Sequence, residues 1–211
     1  MTFFIRYFFY FLILFNFSIN GKSVTEINDD DFVIGDLDAP ITIIEYASLS
    51  CSHCADFHVN KLPKLIEEFV DTGKAKIVFR DFPFNWPALV GSMVLRCVPS
   101  ELRYQYTDAL YQLQSRWVVR DKVKIKQELY KIMQSGGMTK AQFNECLGNK
   151  ELENLILQGI INAQEEFNIK STPSFIINGK LLEKRIQQGY KFIAFGIDGV
   201  FLYHSAQLNK N

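Results

Sequence analysis

Two cysteines separated by two residues, in the run Cys51-Ser52-His53-Cys54, constrain the fold more than any other part of this sequence. An apolar run rich in β-branched residues, over 41–46, comes before them and predicts a strand. Apolar residues at helical spacing follow the first cysteine, so the pair is expected on a turn from a strand into a helix. A helix N-terminus stabilises an anion through its unpaired N–H groups and its dipole. The sequence therefore predicts a redox-active dithiol in which Cys51 is the reactive thiolate.

Metal binding is an alternative use of the same cysteines. Cys51, Cys54 and His58 have the spacing of zinc ligands, and His204, near the C-terminus, would have to complete the set of four. No second cluster of cysteine and histidine follows in the sequence, which favours redox chemistry over metal binding. We therefore predict no metal and no cofactor. His58 and His204 are expected instead on a helix surface and in the C-terminal tail.

Two further ionisable residues lie close to the cysteines in the sequence. His53, between them, would add a hydrogen-bond donor or a partial positive charge beside the Cys51 sulfur, lowering the pKa of that thiol. The alternative is that His53 is an exposed turn residue without a role. Glu45 lies on the strand predicted to be buried, where an unpaired carboxylate is costly. It therefore has a partner or a function, unless it lies at a sheet edge and pairs with a surface lysine.

The first 23 residues predict export from the cytoplasm. A segment with one positive charge, residues 1–6, precedes a charge-free apolar run over 7–21, which is the pattern of a secretion signal. This run is shorter than the roughly 20 residues that a membrane-spanning helix needs. We predict a signal peptide over 1–23, with an uncleaved membrane anchor as the alternative, a flexible lead-in over 24–31 and a periplasmic location. Disulfides are chemically allowed in that compartment.

The overall charge excludes one class of partner. Lysine plus arginine and aspartate plus glutamate both number 23, so no basic field indicates binding to nucleic acid. The length of 211 residues and the apolar content of 48% suit one compact domain, or one domain that carries an insertion.

The order of the predicted elements indicates an α/β fold interrupted by helices. A short strand over 31–34, the strand over 41–46, a helix after Cys51 with a kink at Pro63, and a strand over 75–80 come first. Five helical patterns follow, over 88–98, 101–114, 121–134, 139–147 and 151–167. A strand over 173–177, an Asn-Gly turn and a strand over 180–182 then form a hairpin. In the segment after it, 183–211, three glycines disfavour a closing helix.

This order of elements, together with several short motifs, resembles the DsbA-like thiol oxidoreductases, which have a thioredoxin fold with an inserted all-helical domain. The resemblance is closest to a bacterial branch whose insertion carries a second cysteine pair. It implies a discontinuous thioredoxin-like domain over 32–85 and 170–211, around a helical insertion over 86–169. The motifs are Ala39-Pro40, Cys51-Ser52-His53-Cys54, Asp71-Thr72-Gly73-Lys74, Arg80-Asp81-Phe82-Pro83, Trp117 and Ser171-Thr172-Pro173-Ser174-Phe175.

The resemblance also implies a role for each site residue. Cys51 would be the exposed attacking sulfur, Cys54 the buried resolving sulfur, and Glu45 the buried acid that helps to move the proton of Cys54. Pro173 matches a cis proline beside the sulfurs, and the backbone of Thr172 would pair with the substrate peptide. Threonine at this position departs from the apolar residue common in strong oxidases and is frequent among isomerases.

A second pair of cysteines is expected to be structural. Cys97 and Cys146 both lie within helical patterns of the predicted insertion. They would form a disulfide between two insertion helices, and the alternative is that both are reduced core cysteines.

The function that the resemblance implies is that of a monomeric oxidase that gives its disulfide to folding exported proteins. A quinone-linked membrane protein of the DsbB type would reoxidise it. A disulfide isomerase or reductase on the same fold is the alternative, and a metal-binding thioredoxin-like protein is a third interpretation.

Overall fold

One mixed sheet forms the centre of the molecule. In a computed structural model, which describes residues 26–28 and 30–181, the strand order is β1-β3-β2-β4-β5. β2 and β3 are parallel, and the other neighbouring strands are antiparallel. The predicted signal peptide, residues 183–211 and His204 lie outside the described residues. The strands are β1 (Phe32–Ile34), β2 (Ile41–Ala47), β3 (Ala75–Asp81), β4 (Ser174–Ile177) and β5 (Lys180–Leu181).

β2 is the central strand, as its apolar pattern predicted. Ile43 and Ile44 point to opposite faces of the sheet, and both are buried. Ile43 packs with Phe57 on one face, whereas Ile44 packs with Ile176 on the other. A residue in the middle of this strand therefore points into the protein interior whichever face it is on.

Ten helical segments accompany the sheet in the described part of the chain. Between β2 and β3 lie α1 (Ser52–Asn60), α2 (Leu62–Leu65) and a π-helical turn (Ile66–Val70). The chain breaks between α1 and α2 just before Pro63, which occupies the first turn of α2, where a missing N–H costs no hydrogen bond. Between β3 and β4 lie α3 (Trp86–Arg96), a 3₁₀ turn (Ser100–Leu102), α4 (Arg103–Gln112), α5 (Gln114–Trp117), α6 (Lys122–Ser135), α7 (Lys140–Gly148) and α8 (Lys150–Phe167). Within the described residues, no helix is both long enough and apolar enough to cross a bilayer.

The helices between β3 and β4 have their own caps and share a hydrophobic core with the turn that carries the cysteines. Thr139 and Gln142 form the predicted capping box at the start of α7. Trp117 is fully buried, and its Nε1 donates to the Leu110 carbonyl at 2.8 Å. Gly91 allows this close packing, because a Cβ at that position would lie 3.1 Å from the Trp117 ring. A disulfide bond joins Cys97, at the end of α3, to Cys146 in α7.

The segment before β1, predicted as a flexible lead-in, makes two ion pairs with the rest of the molecule. Arg80 on β3 holds both carboxylate oxygens of Asp31, at 2.9 and 2.6 Å, and the Asp31 side chain is only 4% exposed. Arg96 on α3 makes a single contact with Asp30, from Nη1 to Oδ2 at 2.9 Å. These ion pairs join the last two residues of the predicted lead-in to β3 and α3, and the flexibility of the lead-in stays a prediction.

Candidate active site

The two cysteines lie where the strand-to-helix pattern predicted. Cys51 is the N-cap residue of α1 with an extended backbone, and Cys54 lies in the first turn of the helix. Both are free thiols, so the structure has the dithiol form. Cys54 is fully buried, whereas Cys51 keeps 8% of its surface exposed. Cys51 is thus less exposed than expected at an open turn, because the loop before β4 covers it.

The loop that covers Cys51 contains Thr172 and Pro173. The Thr172–Pro173 peptide bond is cis, as the resemblance implied. The Cys51 thiol donates a hydrogen bond to the Thr172 carbonyl, with 3.3 Å between Sγ and oxygen. The Thr172 hydroxyl is buried and has no hydrogen-bond partner among the described residues. It is therefore available to donate to the sulfur once Cys51 has lost its proton.

The surroundings shift the pKa values of the two thiols in opposite directions. Burial alone would raise the pKa of Cys51, but the hydrogen bonds that Thr172 and the Cys54 backbone give to the thiolate form outweigh it and bring that pKa below its ordinary value. Burial raises the pKa of Cys54 far above its ordinary value, and the nearby charge of Glu45 raises it further. Cys51 is therefore the thiol that ionises more readily, and Cys54 is the thiol that keeps its proton more firmly.

His53 places its backbone N–H at the site. Its side chain is exposed, and the ring makes no hydrogen bond with any residue that the structure describes. Its backbone N–H is among the donors that lower the pKa of Cys51. The backbone N–H of His53, at the helix N-terminus, therefore helps to stabilise the Cys51 thiolate, and a role for the imidazole stays a prediction.

Glu45 is completely buried and has a buried partner. Its Oε2 lies 3.0 Å from Nε2 of His58, and the two side chains are 0% and 2% exposed. The alternative of a sheet-edge acid paired with a surface lysine is therefore wrong. The prediction of His58 on a helix surface is wrong as well. His58 follows Cys54 by four residues, so both lie on the face of α1 that packs on the sheet.

Aromatic rings surround the His58 imidazole. The ring centres of Tyr111, Phe79 and Phe57 lie 4.3, 5.4 and 5.7 Å from its own. Tyr111 comes from α4, and Phe79 from β3. The imidazole is therefore held in one orientation, with one nitrogen directed at Glu45.

Gln114 is a site residue that the sequence did not reveal. Its Nε2 donates to the backbone carbonyls of Leu49 and Cys51, at 2.9 and 3.0 Å. Because Gln114 begins α5, it ties a helix that lies between β3 and β4 to the turn that carries the cysteines. Only the three-dimensional contact identifies it, since a glutamine at the end of a helical pattern has no distinctive signature.

The hydroxyl of Thr172 gives a direct test of the pKa argument. Replacing Thr172 with valine should raise the pKa of Cys51 and so lower the thiolate fraction at neutral pH, because the largest favourable hydrogen bond is lost. The ultraviolet absorbance of the thiolate, followed against pH, measures this. Ser174→Ala is the matched control, because the Ser174 hydroxyl donates to the Ser171 carbonyl at 2.8 Å instead. An unchanged titration of Thr172→Val would contradict the assigned cause.

Comparisons with known proteins agree with this geometry. The family profile described as Thioredoxin matches residues 27–192. A putative protein-disulfide oxidoreductase of Rickettsia bellii is 29% identical over 75% of this chain and 61% of its own length. The chain thus spans about three fifths of the Rickettsia relatives. A probable disulfide bond formation protein D of Bacillus anthracis is 27% identical over 70% of each chain. The crystal structure of alpha-DsbA1 of Wolbachia pipientis has a TM-score of 0.67 and 31% identity, over 75% of this chain and 78% of its own.

Proposed function

This chain belongs to the DsbA-like branch of the thioredoxin superfamily, and we propose that it is a thiol:disulfide oxidoreductase that acts as an oxidase of exported proteins. The Cys51–Cys54 disulfide is passed to folding proteins through a mixed disulfide at Cys51. The observation that carries this proposal is the opposite shift of the two thiol pKa values, lowered at Cys51 and raised at Cys54.

The proposed reaction proceeds in two exchanges. A substrate thiolate attacks Sγ of Cys51 in the oxidised protein, the Cys51–Cys54 bond breaks, and Cys54 leaves as a thiolate that takes up a proton. A second substrate thiolate then attacks the substrate sulfur of the mixed disulfide and releases Cys51 as a thiolate. Two electrons pass from the substrate dithiol to the protein, and the substrate gains its disulfide. The role of Glu45 is to exchange the proton with Cys54.

The lowered pKa of Cys51 supports oxidation as the favoured direction. A thiolate that is stabilised in the folded protein stabilises the reduced form relative to the disulfide, which makes the disulfide a better oxidant. For a depressed pKa, this stabilisation is present above the unfolded value of about 8.5. It is lost as the pH falls through the folded pKa. Relative to an ordinary dithiol, the protein is therefore a stronger oxidant at neutral than at acidic pH.

Equilibration with glutathione tests the direction of the reaction. An oxidase of this kind is expected between the potentials of DsbA, about −120 mV, and of protein disulfide isomerase, about −180 mV. A potential near that of thioredoxin, about −270 mV, would contradict oxidation as its function. The same measurement at several pH values should show that the difference between the reduction potentials of the protein and of glutathione becomes smaller as the pH falls.

An isomerase is the second candidate, and Thr172 is the observation that favours it. Its hydroxyl faces the sulfurs, as the resemblance leads one to expect of isomerases. Refolding of a scrambled disulfide substrate distinguishes the two, since an isomerase restores native pairing without added oxidant. The proposed protein is exported by a signal peptide over 1–23, as the sequence pattern predicts. Its substrates are folding exported proteins, and a quinone-linked membrane protein reoxidises it, as the resemblance implies.

A further inference from the structure

The Glu45–His58 pair has an unused acceptor. Glu45 Oε2 is occupied by His58, but Oε1 is buried and makes no hydrogen bond with any residue that the structure describes. A buried oxygen without a donor is costly, so such an atom in a folded protein has a reason to be there. The negative charge of Glu45 also interacts with Cys54 and helps to raise the pKa of that thiol. Oxygen Oε1 is thus the free acceptor in the neighbourhood of a thiol that must gain and lose a proton.

A small cavity lies on the other side of the pair. It has a volume of about 40 Å³, enough for one or more water molecules, since about 10–15 Å³ of such space holds one. His58 lines this cavity, but neither cysteine nor Thr172 or Pro173 does. Asp30, which also lines it, is exposed, so the cavity extends from the buried imidazole toward the protein surface.

The other groups around the cavity leave the imidazole as the natural proton carrier. Burial, and then the charge of Cys54, raises the pKa of Tyr111 far above its ordinary value, so this phenol keeps its proton. Arg96 is already paired with Asp81 and Asp30. The titratable and charged groups that face His58 or share its cavity are Glu45 on β2, Cys54 on α1, Arg80 and Asp81 on β3, Arg96 on α3, Arg103 and Tyr111 on α4, and Asp30 before β1.

We propose that His58 holds Glu45 in place and carries protons between Glu45 and solvent through this cavity, away from the face that binds substrate. The inference rests on the proposed function, because it concerns the proton of Cys54. When Cys54 leaves the disulfide as a thiolate, one proton moves from the Glu45–His58 pair to its Sγ. The pair, now short of one proton, recovers it from solvent at His58. When Cys54 attacks a mixed disulfide in the reverse reaction, the proton follows the same route outward.

The reaction of the reduced protein with oxidised glutathione separates the relevant step. The Cys51 thiolate first attacks glutathione disulfide, which breaks the S–S bond of that reagent, forms a mixed disulfide at Cys51 and releases one glutathione. The rate of this step depends on the concentration of glutathione disulfide. Cys54 then gives its proton to the Glu45–His58 pair, attacks Sγ of Cys51 and releases the second glutathione. The rate of this step does not depend on the concentration of glutathione disulfide. Acid quenching followed by intact mass measurement counts the mixed disulfide and so gives both rates.

His58→Gln should slow only the second step. Glutamine can still donate to Glu45 but cannot carry a proton, so the release of glutathione should be about tenfold slower or more at neutral pH. In the variant this rate should rise with hydroxide concentration, whereas the wild-type rate should change much less over the same range. Imidazole added to His58→Ala should restore part of the lost rate. The first step, at Cys51, should keep its wild-type rate in both variants.

Thr107→Val is the matched control. Thr107 lines the same cavity and is buried, but its hydroxyl donates to the Arg103 carbonyl of its own helix at 2.7 Å. Both rates should stay unchanged in this variant. The inference is overturned if His58→Gln leaves the second step and its pH profile as in the wild type. It is overturned equally if both steps slow together with a loss of thermal stability, since that marks a structural role. If the wild type performs neither step, the proposed function itself fails.

Discussion

Cys51→Ser is expected to abolish the oxidation of a dithiol peptide. Cys51 carries the only thiol with a lowered pKa among the described residues, and it is the sulfur in contact with Thr172. Without it the site has no Cys51–Cys54 disulfide to give, and the remaining thiol of Cys54 is fully buried, with a strongly raised pKa. The rate of peptide oxidation by the oxidised protein, followed by mass, measures the loss.

Cys54→Ser should have a different outcome. Its Cys51 thiolate can still attack a peptide that contains a disulfide, but no second sulfur is present to release the mixed disulfide. A covalent adduct of protein and peptide should therefore accumulate, and an added thiol reagent should cleave it by reducing the mixed disulfide. The double variant Cys97→Ala/Cys146→Ala is the control, because it retains both site cysteines and should not accumulate the adduct. An adduct that forms equally in Cys51→Ser would contradict the assignment of the attacking sulfur.

Most of the fold could be predicted from the sequence, because its patterns are strong and local. The apolar run on both faces of β2, the capping box at Thr139 and the break at Pro63 each depend on a few neighbouring residues. The position of Cys51 at the start of α1 follows from the same patterns. Such features need no knowledge of distant contacts, and they place the dithiol at the end of the central strand.

The partners of the site residues could not be predicted, because they depend on contacts between distant elements. Glu45 was expected to have a partner, but nothing near it in the sequence indicates that His58, thirteen residues later on α1, contacts it. The spacing of four from Cys54 was the available signal, since it places His58 on the buried face of α1. The contact of Gln114 with the cysteine turn spans 63 residues, and no pattern in a single sequence encodes it.

Removal of the disulfide between Cys97 and Cys146 should destabilise the protein while leaving the active-site cysteines in place. The bond closes a loop with a sequence separation of 49 residues. In the chain-entropy description, such a loop contributes roughly 4 kcal/mol to the free energy of unfolding. For a chain of this size, a change of that order lowers the Tm by about 8–16 °C. Thermal unfolding of Cys97→Ala/Cys146→Ala, compared with the wild type, measures it.

The background Cys51→Ala/Cys54→Ala isolates this effect, because reductant can then act on only one disulfide among the described cysteines. In that background, adding a strong reductant should lower the Tm about as far as the alanine pair does, since both remove the same loop constraint from the unfolded chain. The alanine pair should lose slightly more, because Cys146 is 2% exposed and its truncation leaves a small cavity beside Met93, whose carbonyl lies 2.8 Å from its sulfur. A Tm that does not respond to reductant would show that the bond contributes nothing to stability, and the two cysteines would then behave as ordinary buried side chains.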